Sequence, residues 1–115
     1  MPYIDVKFSR QVDSAKKSLL ISRLGKAISI LNKPERYLMV GVEDNYSLYF
    51  SGKELENGAF ISVSIYGHAD RSDFNKFTAE LSLILGDLFA ISPDQMYVRY
   101  TETDDWGFNG KNFGF

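Results

Sequence analysis

Proline follows the initiator methionine, and this position offers the chain its most distinctive chemistry. A small second residue permits methionine removal, which would leave Pro2 as a free secondary amine. An α-amino group titrates near ~8 when unperturbed. In an apolar pocket or beside a cation its neutral form is favoured, and it becomes a general base without any histidine. If the terminus frays, Pro2 has no role; if Met1 stays on, Pro2 is an amide without basicity. Lys33 precedes Pro34 at a helix-to-strand junction, where the end of a parallel sheet presents loops to ligands. It would hold a carboxylate or depress a neighbouring amine, or else lie solvated on the last carbonyls of its helix. Tyr97 and Arg99 alternate with Met96, Val98 and Tyr100, so phenol and guanidinium share one strand face. There they bind an anion or pair with a neighbouring strand. His68 follows Gly67 in an exposed loop and has no assigned role. Glu102, Asp104 and Asp105 lack the spacing of a calcium loop, read as solvated, and imply no metal.

Composition removes most other chemistries. With no cysteine, disulfide scaffolds, thiolate nucleophiles and thiolate-bound zinc are excluded together. One histidine leaves a single candidate base for a serine triad and none for a multi-histidine metal site. The net charge of −2 disfavours a protein that lives on nucleic-acid phosphates. No apolar run approaches the roughly 18 residues of a membrane span. Asp5 and Lys7 stand where a signal peptide needs its apolar stretch, so a cytoplasmic protein is expected, with signal-less export left open. No cofactor is implied. At 115 residues, 44% hydrophobic and 24% charged, the chain is expected to form one globular domain over residues 1–115.

An internal repeat supplies the elements that must position these residues. Ile4, Val6 and Phe8 alternate with Tyr3, Asp5 and Lys7, the period of a half-buried strand. Val12, Ala15, Leu19, Leu24, Ala27, Ile28 and Leu31 then recur at helical spacing, Pro34-Glu35 ends the helix, and Tyr37 to Val42 reads as a strand. The second half repeats this order. Ile61, Val63 and Ile65 alternate; Phe74, Phe77, Leu81, Ile84, Leu85 and Leu88 form a helical face entered through Ser72 or Asp73. Pro93-Asp94 precedes a strand over Met96 to Tyr100. Pro34 and Pro93 stand 59 positions apart, a shift that lays Ile4 on Val63 and Val6 on Ile65. Two βαβ halves follow, each with parallel strands. Leu48-Tyr49-Phe50 is expected to add an edge strand before a Ser51-Gly52 loop, and turn residues mark the tail at Gly107, Asn109-Gly110 and Gly114. Two helices cover one sheet face only. With aromatics at 15% of the chain, the other face is expected still to carry apolar and aromatic residues and to be covered by another subunit.

Pro2 after Met1, Lys33-Pro34 followed by Tyr37, the Ser64-Ile65 strand end and Ile91-Ser92-Pro93-Asp94-Gln95-Met96-Tyr97 together resemble the macrophage migration inhibitory factor (MIF) family. Trp106-Gly107-Phe108-Asn109-Gly110 with Phe113 is similar to that family's C-terminal segment, so the resemblance spans essentially the whole chain. It implies the tautomerase fold: an α+β domain of two pseudo-symmetric βαβ halves forming a four-stranded mixed sheet, with two helices on one face. It also implies a homotrimer with its sites at subunit interfaces. Pro2 takes the catalytic-base position, removing a proton α to a ketone. Lys33 takes the carboxylate-binding position, the Ile65 N–H donates a second hydrogen bond, and Tyr97 comes from the adjacent subunit. Tyr37, Phe108 and Phe113 fall on the aromatic pocket walls, which exclude water. Arg99 stands where the vertebrate cytokine has asparagine and is expected to favour anionic substrates and lower the Pro2 pKa. Phe108 replaces a tryptophan and Tyr3 a pocket methionine, while the loop after Ile65 is about two residues shorter. The thiol-disulfide activity of some relatives is excluded by the absence of cysteine.

The leading expectation is a keto–enol tautomerase acting through Pro2 on small anionic or aromatic substrates of the phenylpyruvate or dopachrome type. The alternative is a signalling or interaction protein whose pocket is a relic of the fold, with receptor contacts on the outer surface. An RNA-binding βαββαβ domain is rejected: neither Met96–Tyr100 nor Phe60–Tyr66 carries the alternating glycine and aromatic pattern such a sheet needs.

Overall fold

A computed structural model describes residues 1–115. The first strand, β1 (Pro2–Phe8), alternates as its side chains demand, with Pro2, Ile4, Val6 and Phe8 buried and the residues between them half-buried. Asp13 opens α1 (Ser14–Ala27) by accepting the Lys16 N–H at 2.9 Å, which satisfies one free donor of the first turn. The buried stripe of this helix runs through Leu20, Leu24 and Ala27, then Ile28 and Leu31 in a 3-10 turn. Leu19 is 54% exposed and Ala15 is exposed, which corrects the face read from periodicity. Leu20, four residues before Leu24, lies on the buried stripe, whereas Leu19 is turned a further ~100° around the helix toward solvent.

A further 3-10 turn over Glu35–Tyr37 follows, closed by the Leu38 N–H on the Glu35 carbonyl at 2.9 Å. The strand β2 (Met39–Glu43) therefore starts after Tyr37 rather than at it. Tyr49–Phe50 (β3) does not join the main sheet either. It pairs with Lys53–Glu54 (β4) in a separate ribbon, turning through Ser51 and Gly52 at φ 53° and 79°. The strand β5 (Ala59–Tyr66) leads to α2 (Arg71–Phe89), whose N-cap is Asp70 and not Ser72 or Asp73. The Asp70 carbonyl accepts the Phe74 N–H at 3.0 Å, so the helix begins earlier than its apolar face. The strand β6 (Met96–Thr103) runs past Tyr100, and the tail folds back as a hairpin of β7 (Gly107–Phe108) and β8 (Lys111–Asn112). Its turn places Asn109 and Gly110 at φ 55° and 87°, the left-handed pair that matches strand twist.

The main sheet has the order β2-β1-β5-β6, parallel in the two outer pairs and antiparallel between β1 and β5. Ile4 and Val63, superposed by the repeat, are also Cα partners in that central pair, so the pseudo-twofold axis passes beside them. Both helices pack on one face, over a core that includes Ile4, Ile61, Leu24, Phe77 and Leu81, each fully buried. At roughly 1.5–3 kcal/mol per buried aliphatic or aromatic side chain, this layer is the main source of stability. Tyr100 ties β6 to α2: its hydroxyl donates to the Phe74 carbonyl at 3.0 Å and lies 2.7 Å from the Thr78 hydroxyl. The face away from the helices is more polar than expected. Tyr3, Phe60 and Tyr97 share it with a 2.7 Å Lys7–Asp5 ion pair and with Arg99, which reaches Ser62 at 3.2 Å and lies 5.3 Å from the Phe60 ring centre. Neither helix is long and apolar enough to cross a membrane.

Candidate active site

The order of the sheet decides what meets the chain terminus. β1 is central, so Pro2 starts beside the beginning of β2 and the end of β5, with Tyr3 opposite Met39 and Pro2 opposite Ile65. The Tyr66 N–H donates to the Met1 carbonyl at 3.0 Å and holds the terminus in register. The tail hairpin closes over this end, fixed by the Phe113 N–H on the Trp106 carbonyl at 3.0 Å. Rings complete the closure: Phe108 meets Tyr37 edge-on at 6.1 Å, and Phe113 packs on Tyr66 at 4.9 Å.

Two hollows result. One, of about 860 Å³, is lined by Met1, Pro2, Tyr3, Leu38, Met39, Trp106 and Phe108, with Ser64, Thr101 and Thr103 as hydroxyls and Arg36 and Asp105 as charges. The other, of about 630 Å³, is lined by Lys33, Pro34, Tyr66 and Phe113, and shares Met1, Tyr37 and Phe108 with the first. Lys33 is anchored by donating to the Tyr66 carbonyl at 3.0 Å. The Met1 amine is held below the ordinary α-amino value, first by burial and then by the Lys33 charge. Both causes act by penalising the protonated form, and that is what a base needs near neutral pH.

Of the residues expected at the site, Pro2, Lys33, Tyr37, Phe108 and Phe113 gather here within one chain. Ile65 is beside them but turned away: its side chain is 1% exposed in the core. Successive N–H groups on a central strand point to opposite edges. Tyr66 donates to β1 and Gly67 to the Thr103 carbonyl of β6 at 2.8 Å, so the Ile65 N–H faces β6 as well. Tyr97 and Arg99 lie far off. Phe60 is the partner of Tyr97, five residues along β5 from Ile65, so roughly 17 Å of strand separates Tyr97 from Pro2. Tyr97 is 60% exposed and packs on Phe50 at 5.3 Å. His68 is exposed, with Glu102 and Asp104 each 3.5 Å from one of its ring nitrogens. No group of three His, Asp or Glu side chains is placed to hold a metal ion.

Ser64, at the strand end singled out in the sequence, lines the cavity with three residues that were not, Arg36, Thr101 and Thr103. Arg36 stood next to Tyr37 in plain view, but a lone arginine in a polar loop carries no periodicity. The threonines became legible only when β6 was seen to continue beyond Tyr100.

Known proteins share this sequence pattern and fold. The family model described as Macrophage migration inhibitory factor (MIF) matches residues 1–114. A macrophage migration inhibitory factor homolog of Brugia malayi is 25% identical over 116 residues, covering 99% of this chain and 100% of that one. The structure of Leishmania major MIF2 superposes with a TM-score of 0.91 at 26% identity, covering 98% of this chain and 97% of the other. The homologue from Prochlorococcus marinus gives 0.87 at 25% identity, covering 97% and 99%. With the terminal proline, the anchored lysine and the aromatic walls set at the sheet end by this topology, the chain belongs to the macrophage migration inhibitory factor family of the tautomerase superfamily.

Proposed function

We propose that the protein is a keto–enol tautomerase whose base is the nitrogen of Pro2, freed by removal of Met1. The observation that carries this is the position of the chain terminus. Pro2 is buried at the lining of the larger cavity, near a lysine anchored on a strand carbonyl; burial and that charge lower the pKa of the Met1 amine, and both would act in the same direction on a Pro2 amine. The amine takes a proton from the carbon α to a ketone, the C–H electron pair forms the carbon–carbon double bond, and the carbonyl oxygen gains a proton. The reverse transfer returns the keto form, so nothing is consumed. Lys33 binds the substrate carboxylate with the donors its Tyr66 contact leaves free. Tyr37, Phe108 and Phe113 hold an aromatic or apolar substrate body and keep water from the amine. Phenylpyruvate has this shape and charge.

The protein works as a homotrimer with sites at subunit interfaces. Support comes from Tyr97, which lies about 17 Å of strand from the Pro2 of its own chain and would serve a neighbour's. The test is phenylpyruvate tautomerisation by protein whose intact mass confirms loss of Met1, alongside Pro2→Gly and the terminally acetylated protein. A general base contributes about 10²–10⁴-fold, so both changes should cost at least about a hundredfold. Retained activity in either, or a fully processed wild type that turns over neither phenylpyruvate nor any other small keto acid offered, sinks the proposal.

A further inference from the structure

The larger hollow contains a cation that the chemistry above does not use. Arg36 lines it, whereas Lys33 lines the smaller one. The Arg36 guanidinium lies 5.0 Å from the Tyr37 ring centre. It takes part in none of the ion pairs of the chain and in none of its side-chain hydrogen bonds. Stacking occupies the flat face of a guanidinium and leaves its edge, where the paired N–H donors lie, free for a carboxylate. Asp105 shares the cavity wall but does not pair with Arg36.

Both cations come from one short segment, and three positions of chain cannot separate their Cα atoms by more than about 11 Å. Met1 lies between the two hollows, lining both together with Tyr37 and Phe108. Removal of Met1 would take away one of the three residues the hollows share, opening a path past Pro2 between the Lys33 side and the Arg36 side.

We infer that the cleft so opened selects keto or enol acids carrying two anionic groups, one carboxylate held by Lys33 and the second received edge-on by Arg36. This deepens the tautomerase assignment proposed above and rests on it for the reaction, though not for the binding. The bonds made and broken are those already described; only the distal end of the substrate is specified. Arg36 is exposed at the edge of this cavity and pairs with no carboxylate of its own chain, so its edge donors are available to a ligand's anion.

The experiment compares kcat/KM for tautomerisation of oxaloacetate, a dicarboxylate, with that for phenylpyruvate, in the wild type, Arg36→Gln and Arg36→Lys. Calorimetric titration with glutarate and with butyrate reads the binding alone. The ratio of dicarboxylate to monocarboxylate kcat/KM should fall at least tenfold in Arg36→Gln and less in Arg36→Lys, and glutarate should bind at least tenfold more tightly than butyrate only while Arg36 is present. A ratio unmoved by Arg36→Gln, or glutarate binding no better than butyrate, overturns the inference. If the wild type turns over neither keto acid, the tautomerase assignment fails, and the glutarate titration still decides whether the cleft holds two anions.

Discussion

Replacing Lys33 with methionine keeps most of the side-chain volume and removes the charge. The ammonium has three donors, and one is engaged by the Tyr66 carbonyl at 3.0 Å. Two remain for a ligand. A hydrogen bond to a charged group is worth about 1.5–3 kcal/mol, so kcat/KM for phenylpyruvate should fall by about 10- to 150-fold. The bond is made before and during the reaction alike, so the loss should fall mainly on KM. Its own contact with Tyr66 contributes about 1 kcal/mol to folding, too little to unfold a domain, and a denaturant midpoint checks that. The pH profile supplies an independent readout. Lys33 is the second cause, after burial, of the lowered pKa at the terminus, and removing a cation favours the protonated amine. The acid limb of kcat/KM should therefore move to higher pH in Lys33→Met. The assay is the rate of phenylpyruvate tautomerisation between pH 5 and 9, repeated with its methyl ester, which has no carboxylate to lose. Equal losses on acid and ester, with an unmoved acid limb, would refute the assignment of Lys33 as the anion holder.

Tyr100→Phe removes the hydroxyl that ties β6 to α2 through Phe74 and Thr78, and should cost about 1–2 kcal/mol, seen as a fall in Tm of about 4–8 °C. Burial raises the Tyr100 pKa, so the folded protein keeps a proton that the unfolded chain releases; stability should drop as pH rises beyond about 10, and less steeply in Tyr100→Phe. Gly58→Ala would put a Cβ 2.6 Å from the Gln95 backbone carbonyl, which cannot swing away, and should destabilise by about 1–3 kcal/mol in urea unfolding; an unchanged midpoint would show that the β5 entrance yields.

Local rules made much of this molecule legible. Alternation along Pro2–Phe8 and Ala59–Tyr66 depends only on side chains two apart, and it identified the buried faces of both central strands. The repeat exposed the pseudo-symmetric sheet because each half must solve the same packing problem. The resemblance pointed to Pro2, Lys33, Tyr37, Phe108 and Phe113, and the fold brings these together. The face read for α1 failed at Leu19 because Leu20, four residues before Leu24, is the leucine that lies on the stripe of Leu24, Ala27, Ile28 and Leu31.

Other features exist only in three dimensions. Lys33 finds the Tyr66 carbonyl because β1 lies between β2 and β5, a sheet order that no window of sequence contains. The Ile65 N–H goes to β6 because a central strand must satisfy both edges in turn, whatever the site asks of it. Strand geometry separates Tyr97 from Pro2 by about 17 Å, although the resemblance sets both at one kind of site. Arg36 lacks spacing, periodicity and motif, and gains meaning only from the cavity wall it joins and the ring it stacks on. Side-chain type and period are properties of neighbours in the chain, whereas a binding site is made by residues that only the closing of the sheet and the tail hairpin brings into contact.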